Sequence, residues 1–457
     1  MGALSKELEV YMSRKCLCYA GIFASVLLFL ACGTTESAAK DAGALPREAL
    51  VFSAPERISA EDLPDGFAGL GFKAAKAADS ATVVTTKREL KSALRKGGVI
   101  YVSGMIDLSE GMLPEVGGGS TAALDEFVKE KSSGKYSTYK AFMDAYVAAC
   151  TGGTDDTSSS SKKSPMYGVQ HDLYYAYRDK IYVRIPSNTV LIGIDGASGF
   201  MGGSIMIDGV SNVVLRNLVI QDGYDPFPHH EANDGYNAEY DAVAVNNAKN
   251  VWIDHCTFAD TKTVTHVRTG GSLDEKWQTY DGLCDITNAS ANITISYCKF
   301  MNHDKTMLIG SSDSESISNK SRTVTLHHNY FYNCGQRLPM VRLTTVHAYN
   351  NYFDVDKSAP YKSQYALGVR YNALIQSEAN YYGSGTGYSM SGHASKQGSV
   401  YSVGDIDKSA NGRKSGQFVF SKTALFELPY SYAAIPAEDV PEFVKAQAGS
   451  GVLPVER

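Results

Sequence analysis

Tryptophan is almost missing from this chain, with two residues in 457 against 29 tyrosines. Charge of one sign is missing too: 43 lysines and arginines against 49 acids leave a net −6 at pH 7. There is thus no global pull toward nucleic acid, and a polyanion would have to be met by a local basic patch. None of the eight cysteines makes a CxxC pair, which argues against zinc and thiol redox motifs. The apolar run Tyr19 to Ala31 is too short to span a bilayer comfortably. What is there instead is an ordinary soluble balance, 44% hydrophobic and 20% charged, with 42 glycines beside the tyrosines. Such a mixture suits strands and turns better than a helical bundle.

The N-terminus reads as an export signal, because Ser13-Arg14-Lys15 precedes that run and GTTES follows it. Cys32, directly after FLA, resembles the lipidated cysteine of bacterial lipoproteins, although Phe29 stands where leucine is usual. The residues before Met12 do not look like a signal's start, so translation is expected to begin there. Residues 1–31 are therefore expected to be the signal, 32–63 a tether and 64–457 the folded body. The expected destination is the bacterial cell envelope, held by a lipid anchor only, or otherwise the exterior. Five cysteines remain outside the export segment: Cys150, Cys256, Cys284, Cys298 and Cys334. An odd count leaves at least one thiol free, and stacked reduced thiols are expected at Cys256 and Cys298.

Thr86-x-x-Glu89 is a capping box that opens a helix over KRELKSALRK, and Gly97-Gly98 stops it before VIYVSG. A second helix is expected over Leu124 to Ala149, then a flexible loop, GGTDDTSSSSKKS. Beyond these, the chain repeats itself. VVLRNLVI, VWIDHCTF, ITISYCKF, VTLHHNYF, VHAYNNYF and IQSEANYY, starting at Val213, Val251, Ile293, Val324, Val346 and Ile375, align in apolar and polar columns. The tightest spacing is 22 residues, Val324 to Val346, and wider spacings hold polar inserts. Such a unit cannot bury its own face but can stack, which predicts an all-β fold: a right-handed, single-stranded parallel β-helix with long loop insertions and a short N-terminal capping helix. Cys256, Cys298, Asn329, Asn351 and Asn380 share one column, where stacked amides can hydrogen-bond along the axis.

A second set of strands precedes these repeats, and charge clusters there: Asp241, with Glu239 beside it, then Asp281 and Asp285, then Lys305, then Arg337 and Arg342 in GQRLPMVRL. In a β-helix these residues come onto one face, acids first and bases after. The acids are hard oxygen donors of the kind Ca²⁺ prefers, with no histidine or thiolate to favour zinc. A solvated acidic patch and a hydrolase carboxylate pair are the competing readings. The bases beside them favour a site for an anionic polysaccharide, since the arginine fork binds carboxylate. Asp254 and His255 of WIDH lie in another column and read as structural, as do His327 and His328. Asp222 and Asp225 of QDGYDPF read as solvated loop acids or as ligands of further calcium.

IPSNTVLIG, NVVLRNLVIQD, VWIDHCTF, DGLCDI, HDKTMLIGSSDS, LHHNYF, RLPMVR and VHAYNNYF run in order from Ile185 to Phe353, and together they resemble the pectate lyases of polysaccharide lyase family 1. The resemblance implies a polysaccharide lyase that cleaves polygalacturonate by β-elimination, as one copy. It implies Ca²⁺ on Asp241, Asp281 and Asp285, with Glu239 as a further ligand found in only some members. It also implies Lys305 on a substrate carboxylate, Arg337 as the catalytic base and Arg342 as a substrate clamp. Arginine is normally protonated, with a pKa above about 12, so a base role demands desolvation and neighbouring positive charge. Thr344 replaces a common glycine and is expected to reshape the cleft floor. Two other readings stand beside this one: a non-catalytic β-helical binder of acidic glycans, and a pectin lyase acting on methyl esters.

Overall fold

Runs such as VTLHH and TVHAY are β-branched and aromatic at alternate positions, and each is cut short by a residue that tolerates a left-handed backbone. The computed structural model describes residues 52–457 except 74–80, 115–119, 151–165, 232–234, 263–265, 269–274 and 317. The export segment, Cys32, most of the expected tether and the loop after Cys150 lie outside these residues. Three long sheets of 11, 8 and 9 strands, parallel throughout, wind round one core, and successive coils add a strand to each. This is a parallel β-helix. In the 11-stranded sheet the six aligned segments meet without slip: Val213, Val251, Ile293, Val324, Val346 and Ile375 are partners in turn. Coils at both ends, from Thr82–Val84 to Val419–Ser421, continue the same sheet with weaker sequence likeness.

Register is held inside the coils by stacking. Phe258, Phe300, Phe331, Phe353 and Tyr382 form an interior ladder with ring centroids 4.8–5.0 Å apart. That spacing is the inter-strand distance itself, so each ring adds apolar burial of about 2 kcal/mol only when its coil is in register. At the turn after the 11-stranded sheet, Asn217, His255, Tyr297, His328, Asn350 and Ala379 all have φ between +48° and +54°. A left-handed non-glycine residue costs roughly 1–2 kcal/mol. The next column offsets that cost. Asn329 N and Nδ2 donate to Asn351 Oδ1 at 3.1 and 2.9 Å, and Asn351 N and Nδ2 donate to Asn380 Oδ1 at 2.8 and 2.9 Å. Asp405 ends the ladder, accepting from Asn380 N at 2.8 Å. Cys256 and Cys298 occupy the same column as buried free thiols, as expected.

The capping box forms as read, and the helix Lys87–Leu94 lays Leu90, Ala93 and Leu94 over the first coils. The expected single helix from Leu124 to Ala149 is instead two, Ala122–Lys131 and Tyr139–Cys150, separated where Ser133 and Gly134 turn left-handed at φ +53° and +77°. A third helix, Tyr167–Ile181, was not evident from the sequence. These three pack round Phe227, Tyr236 and Tyr240 and form a flank beside the 8-stranded sheet. The end of the expected tether is part of the body, since Ile58 is fully buried and pairs with Val455. Asp254 and His255 are structural as read: Asp254 takes Arg216 Nε at 2.8 Å, Ser296 Oγ at 2.6 Å and His255 Nδ1 at 2.7 Å.

Asn351→Ala removes two acceptor contacts and two donors from a fully desolvated column. A loss of about 3 kcal/mol in unfolding free energy is expected by urea denaturation, and a loss below about 1 kcal/mol would show that the ladder does not hold the coils.

Candidate active site

Every residue singled out on the charged line falls on the 8-stranded sheet or its immediate flanks. Isolated bridges Gly282 to Lys305 and Lys305 to Gln336 place the acids, the lysine and Arg337 on three consecutive coils. Each step is about 4.8 Å. Asp241 lies one coil before Gly282, since Ala242 N donates to Gly282 O at 2.9 Å. The expected order, acids then bases, is therefore the order in space.

Asp241 and Asp285 converge on Gly282. A Cβ built there would stand 2.4 Å from Asp285 Oδ1 and 2.7 Å from Asp241 Oδ1, so glycine is required for both carboxylates to approach. Gly282 N donates to Asp241 Oδ1 at 3.0 Å and Leu308 N to Asp285 Oδ1 at 2.9 Å. Desolvation, then repulsion from Asp281, pushes the Asp285 carboxyl up to about 7, and Asp241 is raised by desolvation, Asp285 and Asp281 in that order. Asp281 is paired with the lysine. Its Oδ1 lies 2.5 Å from Lys305 Nζ, which also donates to Asn237 Oδ1 at 3.1 Å. Among the described residues no three His, Cys, Asp or Glu side chains are grouped closely enough to share an ion. Glu239 faces His229, with Oε1 3.1 Å from Nδ1.

Arg337 sits at φ +59° between Gln336 and the cis Leu338–Pro339 bond, with its carbonyl accepting from Met307 N at 2.8 Å. Its Nε is buried without a hydrogen-bond partner, and among the described residues the guanidinium makes no ion pair. Arg342 is more constrained: its Nε donates to Asp313 Oδ1 at 3.0 Å, while Asp313 Oδ2 takes Lys396 Nζ at 2.9 Å. Thr344 is buried and donates to Arg342 O at 2.7 Å, so it bears on the backbone beneath Arg342 rather than on the cleft surface.

Three neighbours were not reached from the sequence. His303, fully buried, links Asp260 Oδ2 to the carbonyl of Asp281, both at 2.7 Å, and its own carbonyl accepts from Gly335 N at 2.8 Å. Asp313 orients Arg342. Arg370, one coil beyond Arg342, is held below the usual guanidinium range by burial first and then by the charges of Arg342 and Arg337. The sequence signals were present in HDK and SSDS, but no column separated these residues from ordinary turn polar groups. Asp222 and Asp225, expected to be solvated loop acids or ligands of further calcium, are neither solvated nor exposed. Asp222 takes Thr261 N at 2.7 Å and Tyr280 Oη at 3.0 Å, and Asp225 takes Phe227 N at 2.8 Å.

The pectate lyase family model matches residues 170–453. Pectate lyase E of Dickeya dadantii is 32% identical over 405 residues, covering 85% of this chain and 96% of that protein. Among solved structures, a pectate lyase from Acidovorax avenae superposes with a TM-score of 0.74 at 23% identity, over 92% of this chain and all of the other, and so supports the fold. A pectate lyase bound to a hexasaccharide superposes with a TM-score of 0.69 at 25% identity, over 85% of this chain and 97% of the other. The family match over most of the chain, the near full-length relative and the stacked-coil fold agree, and the chain belongs to the pectate lyases of polysaccharide lyase family 1.

Proposed function

We propose that the chain is a Ca²⁺-dependent pectate lyase that cleaves (1→4)-α-D-galacturonan by β-elimination and leaves 4,5-unsaturated galacturonate ends. The observation that carries this reading is the placement, on adjacent coils, of converging carboxylates, Lys305 and Arg337, whose buried Nε has no hydrogen-bond partner among the described residues. A hydrolase needs two carboxyl groups on opposite sides of a glycosidic bond. Here the acids meet each other at Gly282 and the bases lie beside them. The relative bound to a hexasaccharide supports an oligosaccharide as occupant of such a cleft.

The residues fit calcium. The donors are all carboxylate oxygens, the cradle at Gly282 excludes a side chain, and Asp241 and Asp285 resist ionisation in the absence of a counter-charge. Asp241 and Asp285 would hold the ion, and Asp281 would join them by exchanging Lys305 for it. That exchange frees the Lys305 ammonium for a substrate carboxylate. Glu239 would contribute only by leaving His229. When bound, Ca²⁺ supplies positive charge beside the C6 carboxylate and so favours the enolate-like charge that grows during proton loss.

The chain's own groups do the rest. Lys305 and Arg342 grip carboxylates and fix the sugar, with Arg342 pre-set by Asp313. Arg337 takes the C5 proton; the C5–H pair becomes the C4–C5 double bond, and the C4–O bond breaks with its electrons going to the oxygen of the departing sugar, which takes up a proton from solvent. An arginine must first give up its own proton to act as base, so activity should rise toward alkaline pH. Export, with a lipid on Cys32, belongs to the same proposal and is supported by the sequence between Ser13 and Ser37. One copy suffices, because acids, lysine and arginines all come from one chain.

Ultraviolet absorbance of the unsaturated product from polygalacturonate tests the reading, and no product with Ca²⁺ present would sink it. Arg337→Lys should lower kcat by at least about 100-fold with KM little changed, and wild-type turnover in that variant would remove Arg337 from the base role. Calcium should also show in stability. Asp285 has its acidity weakened by folding, so in chelator its contribution is complete below about pH 4 and is lost as pH rises through about 7. The Tm gain on adding saturating Ca²⁺ should therefore be several degrees at pH 8 and much smaller at pH 5. Equal Tm with Ca²⁺ and with chelator at both pH values would refute the acid site.

A further inference from the structure

The 8-stranded sheet does not stop at the acids. Counting back along the outward-facing column from Asp285, the partners are Ala244, Met206 and finally Arg184, on the end strand Tyr182–Arg184. That is three inter-strand steps, about 14 Å. Ala244 and Met206 carry no charge, so an uncharged floor runs from the acids to Arg184. At its end lies a groove of about 650 Å³ between the capping helix and the helix Tyr167–Ile181, with Lys91, Arg95, Tyr182 and Arg184 in its lining.

The chemistry of this groove is that of an anion site. Lys91, Arg95 and Arg184 are exposed, and none makes an ion pair among the described residues. Two acids also line the groove, but both are occupied: Asp179 Oδ1 is 3.1 Å from Arg178 Nη2, and Asp208 Oδ1 accepts from Asn246 Nδ2 at 2.8 Å. The Tyr182 ring has the Arg178 and Arg184 guanidinium carbons 5.7 and 5.8 Å from its centroid. The half-buried ring thus holds the Arg184 fork at the groove through a cation–π contact, and that fork, with Arg95 and Lys91 beside it, can take a carboxylate.

We propose that this groove is a distal subsite for a uronate unit of a long acidic polysaccharide, set by Arg184, Arg95 and Lys91 and reached along the floor of Met206 and Ala244. The proposal rests on the pectate lyase reading for the identity of the chain, and it goes beyond that reading by assigning the capping helix a part in chain-length preference. A short oligomer held at Lys305 and Arg342 ends before Arg184, which lies about four coils, or about 19 Å, from Lys305. A long one reaches it.

The test is binding, measured by calorimetry with calcium present in an Arg337→Lys background so that the oligosaccharide survives. The triple variant Lys91→Ala, Arg95→Ala, Arg184→Gln is compared with its parent on dodecagalacturonate and trigalacturonate. All three substitutions are at exposed positions, and a circular dichroism melt matching the parent confirms the fold. Affinity for the dodecamer should fall about tenfold, equivalent to about 1.4 kcal/mol, while affinity for the trimer stays within about twofold. Dextran sulfate serves as a polyanion without uronate carboxylates and should be affected less than the dodecamer. Unchanged dodecamer affinity, an equal loss for dodecamer and trimer, or an equal loss for dextran sulfate would each overturn the subsite. Failure of the lyase reading looks different: wild-type protein would give no unsaturated product, whatever the groove binds.

Discussion

Everything in this molecule depends on one coil lying in register on the next. Two ladders impose that register, the interior rings from Phe258 to Tyr382 and the asparagines from Asn329 to Asn380, and both repeat at the inter-strand distance. Slipping one residue would turn every buried ring outward and every charged residue inward. The asparagine ladder also carries the strain of the left-handed residue that precedes each of its members. Thus the same contacts that close each turn also set the height of each coil.

The site is a consequence of that register rather than an addition to it. Asp241, Asp281, Lys305 and Arg337 are separated by as many as 96 residues in sequence, yet they rise one coil at a time. Insertions of very different length separate them, and the parallel sheet removes those differences, because loops leave and return at the same coil edge. Like charges are brought together on purpose: Asp285 and Asp241 share the space above Gly282, and Arg370 crowds Arg342 and Arg337. Such crowding is unfavourable for an empty surface and favourable for one that meets both a cation and a polyanion.

The columns of the repeat were legible because a parallel sheet copies periodicity directly from the chain. All six aligned segments pair in the alignment read from the sequence, and Arg337, Arg342, Lys305 and the three aspartates share the cleft sheet. Helix boundaries were less legible. The break at Ser133 and Gly134 arises from a left-handed pair that serine does not announce, and the helix Tyr167–Ile181 has no capping signal at its start. Asp222 and Asp225 were misread as solvated because burial depends on the flank packed over them, which comes from distant segments.

By itself, the sequence determined the stacking fold, the family resemblance and the residue types on the charged face, because a repeat with one strand phase leaves no other way to bury its apolar columns. Only the tertiary structure decided which charges pair and which stay free. Lys305 holds Asp281, Asp313 holds Arg342, and the Arg337 guanidinium makes no ion pair among the described residues. Those choices turn on ångström distances between coils and on how each carboxylate is desolvated, and neither quantity is written in the order of residues along one strand.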